Sequence, residues 1–131
     1  MAANMRNIGY AEAKEAASET AAANGSAIDL ASEVSGQFNY LKAAGPGGPE
    51  LKAILTVGTA GTTMDVKFQY SADGSTGWTD ITGAAFTTVT TATTEQIHFV
   101  PPARYIRVIS HTQTGTFVWA CVVIGEARYD L

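Results

Sequence analysis

From residue 51 onward, apolar and polar side chains alternate with a period of two, and no helical spacing interrupts them. Leu51, Ala53, Leu55 and Val57 alternate with Lys52, Ile54 and Thr56, and Val66, Phe68 and Tyr70 with Asp65, Lys67 and Gln69. Ile97 and Phe99 alternate with Gln96 and His98, and Ile106 and Val108 with Tyr105, Arg107 and Ile109. Successive side chains of a strand point to opposite faces, so each run describes a strand with one buried face. Turn formers separate the runs: Thr59-Ala60-Gly61-Thr62, Asp73-Gly74-Ser75-Thr76-Gly77, Thr82-Gly83, Pro101-Pro102 and Gln113-Thr114-Gly115. Short strands with turns about every 8–12 residues imply an all-β fold. The reading is a jelly-roll-like antiparallel β-sandwich over residues 51–131.

The last run breaks the alternation. Phe117 to Ile124 reads FVWACVVI and is apolar on both faces. A two-layer sandwich has only one inner face, so Val118, Ala120, Val122 and Ile124 need a cover, either the N-terminal arm or a neighbouring subunit. With a neighbouring subunit as the cover, Val118, Val122 and Ile124 are the expected interface of a homo-oligomer, a trimer by preference with a dimer nearly as favoured.

Residues 1–50 differ in kind and read as an N-terminal arm ending in the hinge Gly45-Pro46-Gly47-Gly48-Pro49, which can continue neither a helix nor a central strand. From Tyr10 to Ala23 the sequence YAEAKEAASETAAA favours helix by propensity and closes on Asn24-Gly25, but it has no apolar stripe. A short helix held by propensity alone is marginal in water. Farther on, Ile28, Leu30, Val34, Phe38, Tyr40 and Leu41 follow neither period. They read as separated anchors on an extended segment, each shaped for a pocket on a partner. Ordering such a segment costs about 1–2 kcal/mol of backbone entropy per residue. Anchors at roughly 1.5–3 kcal/mol each offset only part of that. The expectation is an extended, partly helical arm that does not fold alone.

Composition narrows the function. Charged residues make up 15% of the 131 residues, against about 25% in soluble domains, so much of the surface is expected to meet something other than water. The net charge is -4 and the eight Lys and Arg residues are scattered, which argues against nucleic acid as a partner. No apolar stretch reaches the roughly 18 residues of a membrane span. Met1-Ala2-Ala3-Asn4-Met5-Arg6 leads into no apolar run, so no secretory signal is expected. A single Cys121 forms no internal disulfide, in keeping with synthesis in a reducing cytoplasm.

No constellation for catalysis, metal or cofactor emerges. His98 and His111 lack a carboxylate at a useful spacing, and no base or cation adjoins Cys121 in sequence. Asp73 and Asp80 bracket hydroxyls without the spacing of a calcium loop, and the favoured reading is a tight hairpin with Trp78 packed at its base. The threonine run 87–94 suits an edge strand or extended loop.

The stretch DVKFQYSADGSTGWTDITGAAFTTV, then EQIHFVPPARYIRVISHT and GTFVWACVVIGEAR, resembles small β-sandwich proteins encoded beside the major capsid protein of tailed bacteriophages, the head decoration or cement proteins. The resemblance covers roughly residues 51–129. Its most recognisable pieces are Tyr70-Ser71-Ala72-Asp73-Gly74 through Trp78-Thr79-Asp80-Ile81, and Pro102-Ala103-Arg104-Tyr105-Ile106-Arg107. It implies a non-enzymatic virion protein on the capsid exterior that ties neighbouring major capsid subunits together, with the arm residues as the capsid-binding element. The same hairpin and the R-Y-I-R strand also look like discoidin-type sandwiches. That alternative implies carbohydrate or receptor binding through Trp78, Tyr105 or Trp119, although the longer chain and terminal cysteines usual there are missing.

Overall fold

The computed structural model describes residues 8–30 and 50–126, with side-chain detail from Ala11 to Leu30 and from Glu50 to Gly125. These residues form eight strands: β1 (Ile8–Glu19), β2 (Ile28–Asp29), β3 (Leu51–Thr59), β4 (Thr63–Ser71), β5 (Thr79–Ala85), β6 (Thr93–Phe99), β7 (Tyr105–Thr114) and β8 (Phe117–Glu126). Two antiparallel four-stranded sheets result, sheet I in the order β1-β8-β3-β6 and sheet II in the order β2-β7-β4-β5. The protein is all-β, and the alternation from residue 51 onward lies on strands.

Register explains the burial. Leu51 pairs with Phe99, Ala53 with Ile97 and Val123, and Leu55 with Cys121, placing these side chains on the inner face of sheet I. In sheet II, Phe68 pairs with Val108 and Tyr70 with Ile106. The Phe68 ring lies 4.9 Å from that of Phe99 and 6.4 Å from that of Phe86, so one aromatic group joins the two layers. Trp119, Phe117 and Leu55 are fully buried beside them.

The N-terminal expectation is corrected. Residues 8–19 form a strand rather than part of a helix, paired along β8 from Ile8↔Glu126 to Glu19↔Phe117. Tertiary pairing overrides helix propensity because β8, apolar on both faces, takes partners along both edges. Ala11 and Ala13 enter the core with no exposed surface. Bulges between Glu12 and Lys14 and between Lys14 and Ala17 let β1 follow the twist.

After β1 the chain crosses from sheet I to sheet II along the rim of β7. Gly25 N–H donates to the Val108 carbonyl at 2.7 Å, Ser110 N–H to the Ala23 carbonyl at 2.9 Å, and Ser26 N–H to the Ala13 carbonyl at 3.2 Å. A side chain on Gly25 would run into the Ala13 carbonyl oxygen and the Val108 methyl, so this crossing needs glycine. Ile28 then pairs with Ile106 and is wholly buried, as is Leu30, whose N–H donates to the Arg104 carbonyl at 2.9 Å. Two of the six expected capsid anchors, Ile28 and Leu30, are thus core residues of their own chain and present no surface to a partner. Val34, Phe38, Tyr40, Leu41 and the hinge at 45–49 lie outside the described residues. A division into an arm of residues 1–50 and a sandwich of 51–131 cuts through both sheets, since β1 and β2 belong to the sandwich.

Candidate functional site

The outer faces of the two sheets differ in chemistry. On sheet I, register sets Glu12, Val122, Ile54 and Gln96 in one row across β1, β8, β3 and β6. Ile124, Lys52 and His98 form the next row, and Ala120, Thr56 and Thr94 the row on the other side. Val118, Ala120, Val122, Ile124 and Ile54 are all half-buried, none of them covered by a second layer among the described residues. Three of these are the expected interface residues Val118, Val122 and Ile124, and the structure brings them together on one strand. Ile54 was not singled out beforehand, because only its pairing with Val122 shows that it continues the apolar patch.

The patch is not flat. An open depression of about 80 Å³ lies over Ala120, the smallest side chain of the row, bordered by Glu12, Lys14, Ile54, Thr56 and Val122. Beneath it, Lys14 turns inward at the β1 bulge and is 7% exposed. Its ammonium donates to the Trp119 carbonyl at 3.2 Å, meets the Glu19 carboxylate at 3.1 Å and sits 4.4 Å from the Trp119 ring centroid. A buried ammonium needs such partners, so its role here is structural. The indole N–H of Trp119 is buried without a hydrogen-bond partner. At 1% exposure, Trp119 is withdrawn from the set of sugar-stacking candidates.

The outer face of sheet II is polar. Arg107 donates through Nε and Nη2 to the Gln69 side-chain oxygen at 3.1 and 2.9 Å, and its guanidinium lies 4.4 Å from the Trp78 ring centroid. Gln69 donates to Asp80 at 2.9 Å, and Lys67 meets the other Asp80 oxygen at 2.7 Å. Hydrogen bonds from Lys67 and then Gln69 hold the Asp80 carboxyl below its ordinary range, while burial lowers the pKa of Arg107. Arg104 forks onto Asp29 at 2.7 and 2.9 Å, which raises its pKa. Sequence alone hid the Arg107–Gln69–Asp80–Lys67 network because its members sit on three strands, β7, β4 and β5, whose order the chain does not announce.

The 72–78 loop is a rigid connector between β4 and β5. Oδ1 of Asp73 accepts from the Thr76 and Ser75 amides at 2.8 and 2.9 Å and from the Ser71 hydroxyl at 3.0 Å, while Oδ2 takes the Thr76 hydroxyl at 2.8 Å. These donors, led by the Thr76 amide, hold the Asp73 carboxyl far below the usual carboxylate range. The carboxylate is thereby occupied as a loop organiser. Gly74, at φ 78°, packs so closely on Tyr105 that a Cβ would touch its ring. Trp78 and Tyr105 each carry a neighbour against one ring, Arg107 and Gly74 respectively.

Reactive groups remain apart. His98 and His111 are exposed on β6 and β7, in different sheets. Cys121 is 2% exposed, and burial pushes its thiol up to about 12. Among the described residues no group of three or more His, Cys, Asp or Glu could hold a metal ion, and no helix is long and apolar enough to cross a membrane.

No family model, curated protein or solved structure matches the chain.

Proposed function

We propose that this protein is a structural, non-catalytic assembly component of a tailed-phage head, a cement protein that sits on the capsid exterior and ties major capsid subunits together. The observation that carries the reading is the outer face of sheet I. An interior strand carries apolar side chains there, on a face that a free-standing sandwich normally lines with polar residues and gives to water. The low content of charged residues and the sequence resemblance support the same reading. We also read the fold as a jelly roll. Its support is the nested pairing of β1 with β8, β2 with β7, β3 with β6 and β4 with β5, the pattern of one long hairpin rolled into two layers.

Co-sedimentation of the purified protein with emptied, expanded capsid shells of the parent phage tests the role. Saturable binding at a fixed ratio to capsid subunits, together with a higher shell-disruption temperature, is expected. Shells that pellet without the protein overturn the reading.

One observation favours a second reading, a glycan-contacting module: Trp78 and Tyr105 are half-buried, with the Arg107 guanidinium over the first ring and that of Arg104 over the second. Planar side chains next to aromatic rings suit stacking and hydrogen bonding to a sugar. Saturable signals on a glycan array, lost on Trp78→Ala, would establish that reading in place of the first.

A further inference from the structure

We propose that Asn24–Gly25 is a self-modifying site that folding holds shut: when residues 23–26 lift off β7, Asn24 deamidates through a succinimide, and the isoaspartate product can no longer make the crossing between the sheets. The inference goes beyond the assembly role and is independent of what any partner covers.

The sequence supplies the reactive pair. Glycine has no side chain to shield its amide, so in an Asn-Gly step that nitrogen can reach the asparagine carboxamide. The Gly25 nitrogen bonds to Asn24 Cγ and gives up its proton, while the Cγ–Nδ2 bond breaks and ammonia leaves. Water then opens the imide. Attack at Cγ gives aspartate on the original backbone. Attack at the main-chain carbonyl gives isoaspartate, in which the chain runs through Cβ and gains a methylene. No other residue can replace the glycine and remove the hazard, because a Cβ at Gly25 would run into the Ala13 carbonyl oxygen.

The fold withholds the attacking atom rather than the target. Asn24 is exposed, so water reaches its side chain. Gly25 N–H donates to the Val108 carbonyl at 2.7 Å, which keeps the nitrogen protonated and turned toward β7. Ser110 N–H donates to the Ala23 carbonyl at 2.9 Å, and Asn24 bridges to Ile109, so the backbone torsion that ring closure must turn is fixed. Asp73–Gly74 can form the same imide and is closed in the same way. Its glycine N–H donates to the Ser71 hydroxyl at 3.0 Å, and the Asp73 carboxylate is taken up by the Ser75 and Thr76 amides.

At position 24 the product has a structural consequence. Ala23 and Gly25 make successive contacts with β7, at Ser110 and Val108. An extra methylene between them cannot keep both, and the close packing of Gly25 leaves no slack. Losing the crossing frees β2 together with Ile28 and Leu30, both wholly buried in the native chain. A transient opening thus becomes permanent.

Ageing at mildly alkaline pH tests the proposal on the full chain, folded and in denaturant, and on folded Leu30→Ala. Aspartate and isoaspartate at position 24 are counted by peptide mapping and mass spectrometry. The folded chain is expected to react at least about 100-fold more slowly than the denatured one, because it reacts only through local opening. Leu30→Ala, which loosens the segment beyond the crossing, is expected to react faster than its parent. After removal of denaturant, the cooperative melt should be lost in proportion to isoaspartate at 24, whereas Asn24→Gln aged alike should keep it. Equal rates in the folded and denatured chains, a Leu30→Ala rate no faster than the parent's, or isoaspartate chains that melt like fresh ones each overturn the proposal.

Discussion

Cys121 lies mid-way along β8, opposite Leu55 on one side and Lys14 on the other. Removal from water penalises the thiolate, so its pKa rises from an ordinary 9.0 to about 12. At pH 8 the native thiol is expected to react with a disulfide reagent at least about 100-fold more slowly than in denaturant, because both thiolate fraction and access are lost. Equal rates would mean that β8 opens readily. The sign of the pH effect follows by linkage. Between pH 9 and 12 the unfolded chain releases a proton that the folded chain keeps, so the stability contribution present below pH 9 is lost as pH rises through this window. Denaturant titrations at pH 8 and pH 10.5 should show an alkaline loss of about 1–2 kcal/mol that is missing in Cys121→Ala. An identical slope in both proteins would place the cause in other groups.

At the scale of elements, the connection between β1 and β2 is held more tightly than any turn motif suggests. Gly25→Ala is expected to cost about 1–3 kcal/mol, because the new methyl meets backbone that cannot yield. Gly58, in β3 with open space around it, gives the opposite result: Gly58→Ala should be neutral or stabilising by about 0.5 kcal/mol. Thermal unfolding of the two variants checks both signs, and a Gly25→Ala protein as stable as its parent would remove the crossing from the list of constraints. The elements legible in sequence were those whose alternation has amplitude. β3, β4, β6 and β7 carry large side chains facing inward between polar ones, so a period of two is visible, and β8 shows as an unbroken apolar run. β1 hides because its inward residues include Ala11 and Ala13, whose methyls look like helix propensity when no neighbour is known. β2 is two residues long, too short for any pattern. Thr82-Gly83 reads as a turn, yet it lies inside β5, where Gly83 at φ 82° accompanies a register shift between Lys67 and Gln69 of β4. The outer face of sheet I follows the same logic: Val118, Val122 and Ile124 lie on one strand and are visible in sequence, whereas Ile54 and Glu12 join them only through the pairing of β8 with β3 and β1.

For the whole molecule, the decisive question is whether residues 51–131 can stand alone, as the composition break near residue 50 suggests. The structure gives a definite answer. Without β1, interior strand β8 becomes an edge and opens the inner face of sheet I around Trp119 and Val123. Without the 23–30 segment, β7 loses its partner at Asn24, Ile28 and Asp29 and the core loses Ile28 and Leu30. Each of those two side chains contributes about 1.5–3 kcal/mol through burial alone. Domains of this size are stable by only about 5–15 kcal/mol, so losing both strands is expected to abolish folding rather than weaken it. A chain starting at Leu51 should show no cooperative melt and should expose apolar surface to a dye. A synthetic peptide covering residues 8–30, added in trans, should restore the melt in proportion to its concentration, because it supplies the two missing strands. Leu30→Ala in the full chain should cost about 2–5 kcal/mol, as removal of a wholly buried leucine does elsewhere. A truncated chain that melts cooperatively and ignores the peptide would return residues 8–30 to the status of an appended arm and leave β8 able to bear an open edge.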